Sequence, residues 1–183
     1  MTNNALYFIA VIPAEPVFGD VVKWKQHFAE IYHSKAALKS PPHITLHMPF
    51  KWREDREDKI FEAVKKSLDG HHPFELALHG FGAFKPRVIF IHIEENQALK
   101  GVHDSLKRNM KSELNIFNAE YKGRGFNPHL TLAFRDLKKS MFLQAWKEFE
   151  NKSYQALFPV DSIVLLKHNG KSWDIYKTFD LRK

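Results

Sequence analysis

Short apolar runs alternate along the chain with longer stretches in which apolar residues return every three or four positions. Leu6–Ile12 is continuously apolar, rich in β-branched and aromatic residues, and closed by Pro13, which predicts a buried strand. From Val17 to Ser34, Val21, Trp24, Phe28, Ile31 and Tyr32 fall at helical spacing, so an amphipathic helix is expected. Pro41-Pro42 then forces extended backbone, and Pro42–Phe50 alternates like a strand. Glu54–Leu68 predicts a second helix, and Gln97–Leu114 a third, with Leu99, Val102, Leu106, Met110 and Leu114 on one face. Between them Phe74–Leu78 and Val88–Ile93 read as strands, separated by a break at Gly80–Phe84. Pro128 opens a strand to about Phe134, and Met141–Phe149 is helical, extending at most from Lys138 to Lys152. The tail predicts two strands, Ala156–Lys167 and Trp173–Asp180, around a hairpin turn at Asn169-Gly170. This order of elements implies an α+β or α/β fold with largely antiparallel sheet.

Composition narrows the picture. A length of 183 residues suits one domain or two small lobes sharing a core, and 16 Phe point to aromatic packing within it. The net charge of +7 suits an anionic partner such as RNA, DNA or a phosphorylated small molecule, and equally a basic surface that keeps the chain in solution. The absence of cysteine excludes disulfides, thiol nucleophiles and Cys-ligated zinc. The apolar run near the N-terminus lacks a basic leader and a small-residue cleavage site, and no stretch approaches a membrane span. A cytoplasmic protein without membrane association is therefore expected, and a monomer is assumed.

One short pattern occurs twice. Pro42-His43-Ile44-Thr45-Leu46 and Pro128-His129-Leu130-Thr131-Leu132 match at Pro, His, Thr and Leu, with the histidines 86 positions apart, close to half the chain. Strand alternation puts His43, Thr45 and His47 on one face above Ile44, Leu46, Met48 and Phe50. In the second copy it puts His129, Thr131, Ala133 and Arg135 above Leu130, Leu132 and Phe134. Two imidazoles that titrate near neutrality can supply the base for an attacking water and the acid for a leaving oxygen. The threonine hydroxyls and Arg135 could hold the non-bridging oxygens of a phosphodiester, and no metal or other cofactor is demanded. A single His-x-Thr-Leu is commonly structural; the doubled, Pro-preceded pattern is the informative signal.

With both motifs in view, the chain resembles the 2H phosphoesterase superfamily, which includes 2′-5′ RNA ligase-like proteins and 2′,3′-cyclic nucleotide phosphodiesterases. Phe8–Pro13 looks like that family's opening strand, and Gly80–Phe84 with Val88–Ile91 like its middle segment. The resemblance implies one bilobal domain over residues 1–183, two pseudo-symmetric, mostly antiparallel sheets with flanking helices, and a central cleft. It implies that His43 and His129 are the acid/base pair, and that Thr45 and Thr131 bind phosphate. It further implies a metal-independent opening of a 2′,3′-cyclic phosphate on an RNA end or small nucleotide. The alternatives are 2′-5′ RNA ligation in the same cleft and a module that binds RNA or a nucleotide without turnover. The second motif is followed by Ala133-Phe134 before Arg135, whereas related tRNA-processing proteins often place a basic residue directly after it.

Further candidate substrate contacts are Phe126, as a base-stacking ring or a core residue, and Arg124 beside the second motif, and His47 beside the first, for which a neighbouring or structural role is favoured. Phe84 and Tyr7 are weighed as base-stacking rings, with a core role favoured for Tyr7. Lys51, Arg53 and Lys122 could meet phosphate or simply face solvent. His79, His92 and His103 have no partner that the sequence reveals.

Overall fold

The computed structural model describes residues 3–120 and 125–181. Its strands are β1 (Asn4–Val11), β2 (Ile44–Arg53), β3 (Phe74–Phe84), β4 (Val88–Ile93), β5 (His129–Ala133), β6 (Gln155–Val160), β7 (Ser162–His168) and β8 (Trp173–Asp180). Its α-helices are α1 (Val17–Ile31), α2 (Glu57–Leu68), α3 (Gln97–Leu114) and α4 (Lys139–Phe149). The third helix has the bounds expected from its apolar spacing. Asn96 caps it by accepting from Leu99 N–H at 2.9 Å, and Asn115 ends it in the left-handed region at φ 57°.

All strands belong to one antiparallel sheet of order β6-β3-β4-β5-β2-β1-β7-β8. The two expected sheets are its halves. Within each half the ladders are long, whereas β2 meets β5 through the single pair Ile44 and Leu130. The motif strands are thus the inner edges of two four-stranded lobes, each providing the other's edge with a partner.

Two sequence expectations change. The strand expected over Ala156–Lys167 is interrupted at Asp161: its first part pairs with β3 in one half and its second with β1 in the other. One linking residue spans at most about 7 Å between its neighbours, so the sheet curls until its β6 edge comes alongside β7. The break expected at Gly80–Phe84 is instead a register shift within a continuous β3, where Gly80 takes φ 64°.

The sheet has two unlike faces. One carries the main core, where Tyr7, Ile9, Val11, Ile44, Leu46, Leu130 and Leu132 meet apolar residues of all four helices, such as Phe28, Val64, Leu106 and Phe142. The other carries a small cluster of Phe8, Ala10, Val164 and Leu166 with Ile12 and Trp173 at its border. The motif side chains belong to this second, less covered face.

Candidate active site

The joint between the halves builds the site. Ile44 and Leu130 are both fully buried on the core face. One step to either side, the antiparallel register sets His43 opposite Thr131 and Thr45 opposite His129. These four side chains are all half-buried and share the open face. Diagonal neighbours in such a ladder lie roughly 7–8 Å apart, enough room to admit a phosphate between two imidazoles.

Each histidine is held in the same way. His43 Nδ1–H donates to the Pro41 carbonyl at 2.8 Å, and His129 Nδ1–H to the Asn127 carbonyl at 2.7 Å. A carbonyl only accepts, so each neutral ring keeps its hydrogen on Nδ1 and leaves the Nε2 lone pair for chemistry. Each ring also lies against a phenylalanine: Phe8 is 4.9 Å from His43 and Phe90 is 5.0 Å from His129. Trp173 extends the first contact and Phe84 the second, at 4.7 and 4.6 Å from Phe8 and Phe90. Gly82 pairs with Phe90, and a Cβ there would come within 2.4 Å of its ring, so only glycine leaves that ring where it supports His129.

After each threonine the strand bulges. The pairs Thr45–Ala10 and His47–Ile9 leave Leu46 as an extra residue in β2; Thr131–Phe90 and Ala133–Ile89 leave Leu132 extra in β5. In both copies the leucine after the threonine and the residue that follows it, Leu46 with His47 and Leu132 with Ala133, therefore turn together onto the core face. This corrects two expectations drawn from simple alternation. His47 does not share the face of His43 and Thr45: it is fully buried, donates its Nδ1–H to the Met48 carbonyl, and leaves Nε2 without a partner. Arg135 does not follow Thr131 along a strand either. Ala133 is buried, β5 ends there, and Arg135 turns to φ 60° with its guanidinium 5.1 Å from the Phe134 ring.

Burial disfavours the charged form of both motif histidines. Burial, the charge of Lys25 and that of His129 together pull His43 down to about 4, against the raising effect of the Pro41 carbonyl. Burial also lowers His129, opposed by the Asn127 carbonyl. His47 is pulled down to about 4 by burial, with His103 adding to the shift.

The remaining candidates separate clearly. Phe126 stacks on His103 at 3.9 Å and 7°, and His103 bonds Leu46 O and Glu120, so this aromatic is committed to the core side. Tyr7 is fully buried and donates to Glu57. Phe84 alone of the proposed stacking rings sits beside a motif histidine, 5.1 Å from His129. Arg53 pairs with Asp55. Arg124 and Lys122 lie outside the described residues. The sequence pattern does not mark Phe8, Phe90, Trp173 or Lys25 as site residues, although Lys25 lies four residues after Val21 and three before Phe28, within the apolar stripe. A cavity of about 650 Å³ opens away from both motifs, where Lys51 and Lys167 are balanced by Glu54 and Asp174. Among the described residues no three His, Asp or Glu side chains converge as a metal site, and no helix is long and apolar enough to cross a membrane.

Residues 13–172 match the family model of the 2′-5′ RNA ligase superfamily. The chain belongs to this superfamily. Among curated relatives, a protein of Halalkalibacterium halodurans named "putative phosphoesterase" is 27% identical over 185 residues, covering 97% of this chain and 98% of its own. One of the same description from Geobacillus kaustophilus is 30% identical over 152 residues, covering 81% and 82%. The fold matches Escherichia coli LigT complexed with 3′-AMP at TM-score 0.73 and 15% identity, over 99% of this chain and 100% of LigT. It also matches a Thermus thermophilus protein at TM-score 0.69 and 22% identity, over 97% and 98%. The 2H phosphoesterase resemblance and the α+β fold read from the sequence are thereby borne out, and the protein is a phosphoesterase of this superfamily.

Proposed function

We propose that this superfamily member is, within one bilobal domain, a metal-independent phosphodiesterase that opens 2′,3′-cyclic phosphates on nucleotides or RNA ends. The observation that carries the reading is the antiparallel joint at Ile44 and Leu130, which brings two identically oriented imidazoles and two threonine hydroxyls to one face. One neutral Nε2 takes a proton from water as the water oxygen bonds to phosphorus. The bond from phosphorus to O3′ breaks, and the other histidine, as imidazolium, gives its Nε2 proton to O3′. The product is a 2′-phosphate. Thr45 and Thr131 each lie across from the opposite motif's histidine and donate to the non-bridging oxygens.

Two features favour a nucleotide over a simpler ester. Aromatic surfaces flank both histidines, Trp173 with Phe8 on one side and Phe84 with Phe90 on the other, and such rings stack on bases. LigT, which shares the fold, has been crystallised with 3′-AMP. Arg135, exposed at the rim of β5, reaches phosphate only if it leaves Phe134.

The test is to incubate the protein with 2′,3′-cyclic nucleotides and with cyclic-phosphate-ended RNA and to identify products by phosphorus NMR. Formation of a 2′-phosphomonoester supports the reading. A joined 2′-5′ product from RNA halves would assign ligation instead, and tight binding with no product would assign a binding module.

A further inference from the structure

The two halves of the site are near copies, and one of their differences lies behind His43. Lys25 lies on α1 and is only 3% exposed, and its Nζ donates to the Ser40 carbonyl at 3.0 Å. Among the described residues no carboxylate lies within ion-pair distance of it. A buried ammonium without a counter-ion opposes folding, so this position invites a functional explanation. Burial lowers Lys25 only to about 8, which leaves it mostly charged at neutral pH.

Its place in the chain is specific. The peptide next to the bonded Ser40 carbonyl is that of Pro41, whose own carbonyl takes the Nδ1–H of His43. Lys25 thus anchors the segment that orients one catalytic imidazole. The groups whose charge acts on His43 are Lys25 from α1 and His129 from β5. His129 is lowered by burial alone, and no lysine contributes. Asp136, the nearest acid in the chain after β5, is occupied by Ser34 Oγ and the backbone N–H groups of Lys35 and Ala36.

We propose that Lys25 is a positioning residue for the two-histidine reaction: it fixes the Ser40–Pro41 segment behind His43 and, as a positive charge beside that histidine alone, places the pair's single proton on His129. His43 then enters the cycle neutral and takes the proton of the attacking water, while His129 enters as imidazolium and protonates the leaving O3′. After the step His43 holds the proton and His129 is neutral, and exchange with solvent restores the start. This assignment rests on the two-histidine reading above.

Imidazole titration by NMR tests it without any substrate. In the wild-type protein His43 is expected to titrate below His129. Lys25→Met removes charge and hydrogen bond together; Lys25→Gln removes the charge and keeps an amide donor for Ser40. In both variants His43 is expected to rise by about one pH unit or more, with His129 moving far less. The acidic limb of kcat/KM follows His43 upward. Turnover falls about tenfold or more in Lys25→Met and less in Lys25→Gln, because the segment behind His43 stays anchored. A wild-type protein in which His43 titrates at or above His129 overturns the proposal, whether or not the variants fold. So does a His43 that does not move in Lys25→Gln. The expected titrations without turnover of any cyclic phosphate would instead overturn the assigned reaction and leave the placement of the proton standing.

Discussion

Ile44 of β2 and Leu130 of β5 form, among the described residues, the single ladder pair that joins the two halves of the sheet. Everything chemical in the site is arranged about that pair, since the residues flanking it are the two histidines and two threonines. Both side chains are fully buried. Leu130→Ala is expected to cost about 2–5 kcal/mol, as for other fully buried leucines, and to reduce turnover beyond what the lost stability explains. Urea denaturation alongside kcat under folding conditions checks this; a loss below about 1 kcal/mol would show that the joint bears little load.

His47 separates the motif's chemistry from its packing. Its Nε2 is buried without a partner, so His47→Leu removes an unsatisfied group and is expected to leave turnover within about twofold and stability unchanged or raised by about 1 kcal/mol. The same residue shapes acid stability. Above pH 6.5 native and unfolded chains both hold it neutral, so it adds no slope. Below 6.5 the unfolded chain takes a proton that the native ring refuses until about pH 4, and stability falls over that window. His47→Leu is expected to reduce the slope between those limits by up to about 1.4 kcal/mol per pH unit, read from denaturation at a series of pH values.

Gly82 tests the support behind His129. In Gly82→Ala the new Cβ collides with the Phe90 ring, which must rotate away from the imidazole it packs against. A stability loss of about 1–3 kcal/mol is expected, with a fall of about tenfold in kcat measured well below the melting temperature. Unchanged kcat would mean that Phe90 does not hold His129 in place.

The pH profile follows from the depressed histidines. Both lie below their ordinary value of 6.5, so the singly protonated pair is populated on the acid side of neutrality. The maximum of kcat/KM is expected below pH 6.5, falling about tenfold per unit above it once protonated enzyme becomes scarce. The profile of kcat is expected to sit higher, because a bound phosphate anion favours the imidazolium. A kcat/KM maximum above pH 7.5 would contradict this electrostatic picture.

Much of this was legible in the sequence. The elements from Leu6 to Asp180 follow from period and punctuation, and the paired His-x-Thr-Leu strings mark His43, Thr45, His129 and Thr131 as a group. What escaped depended on register or long-range packing. A bulge adds one residue to a strand without changing its composition, so alternation sets His47 on the wrong face and carries the second strand on to Arg135, past its end at Ala133. The split at Asp161 was hidden because both of its flanks are good strands, and only pairing shows that they serve different halves. Lys25 was visible as a charge in an apolar stripe, yet its meaning required knowing that Ser40 lies over it. Trp173 and Phe8 come together only once β7 and β8 are set beside β1.

The most direct measurement is kcat/KM on 2′,3′-cyclic nucleotides for His43→Ala and His129→Ala, with excess EDTA present and circular dichroism to confirm the fold. Each substitution is expected to lower the rate by about 10²–10⁴ while the wild-type rate is unaffected by the chelator. A folded variant that keeps turnover within about twofold of wild type would contradict catalysis by the histidine pair.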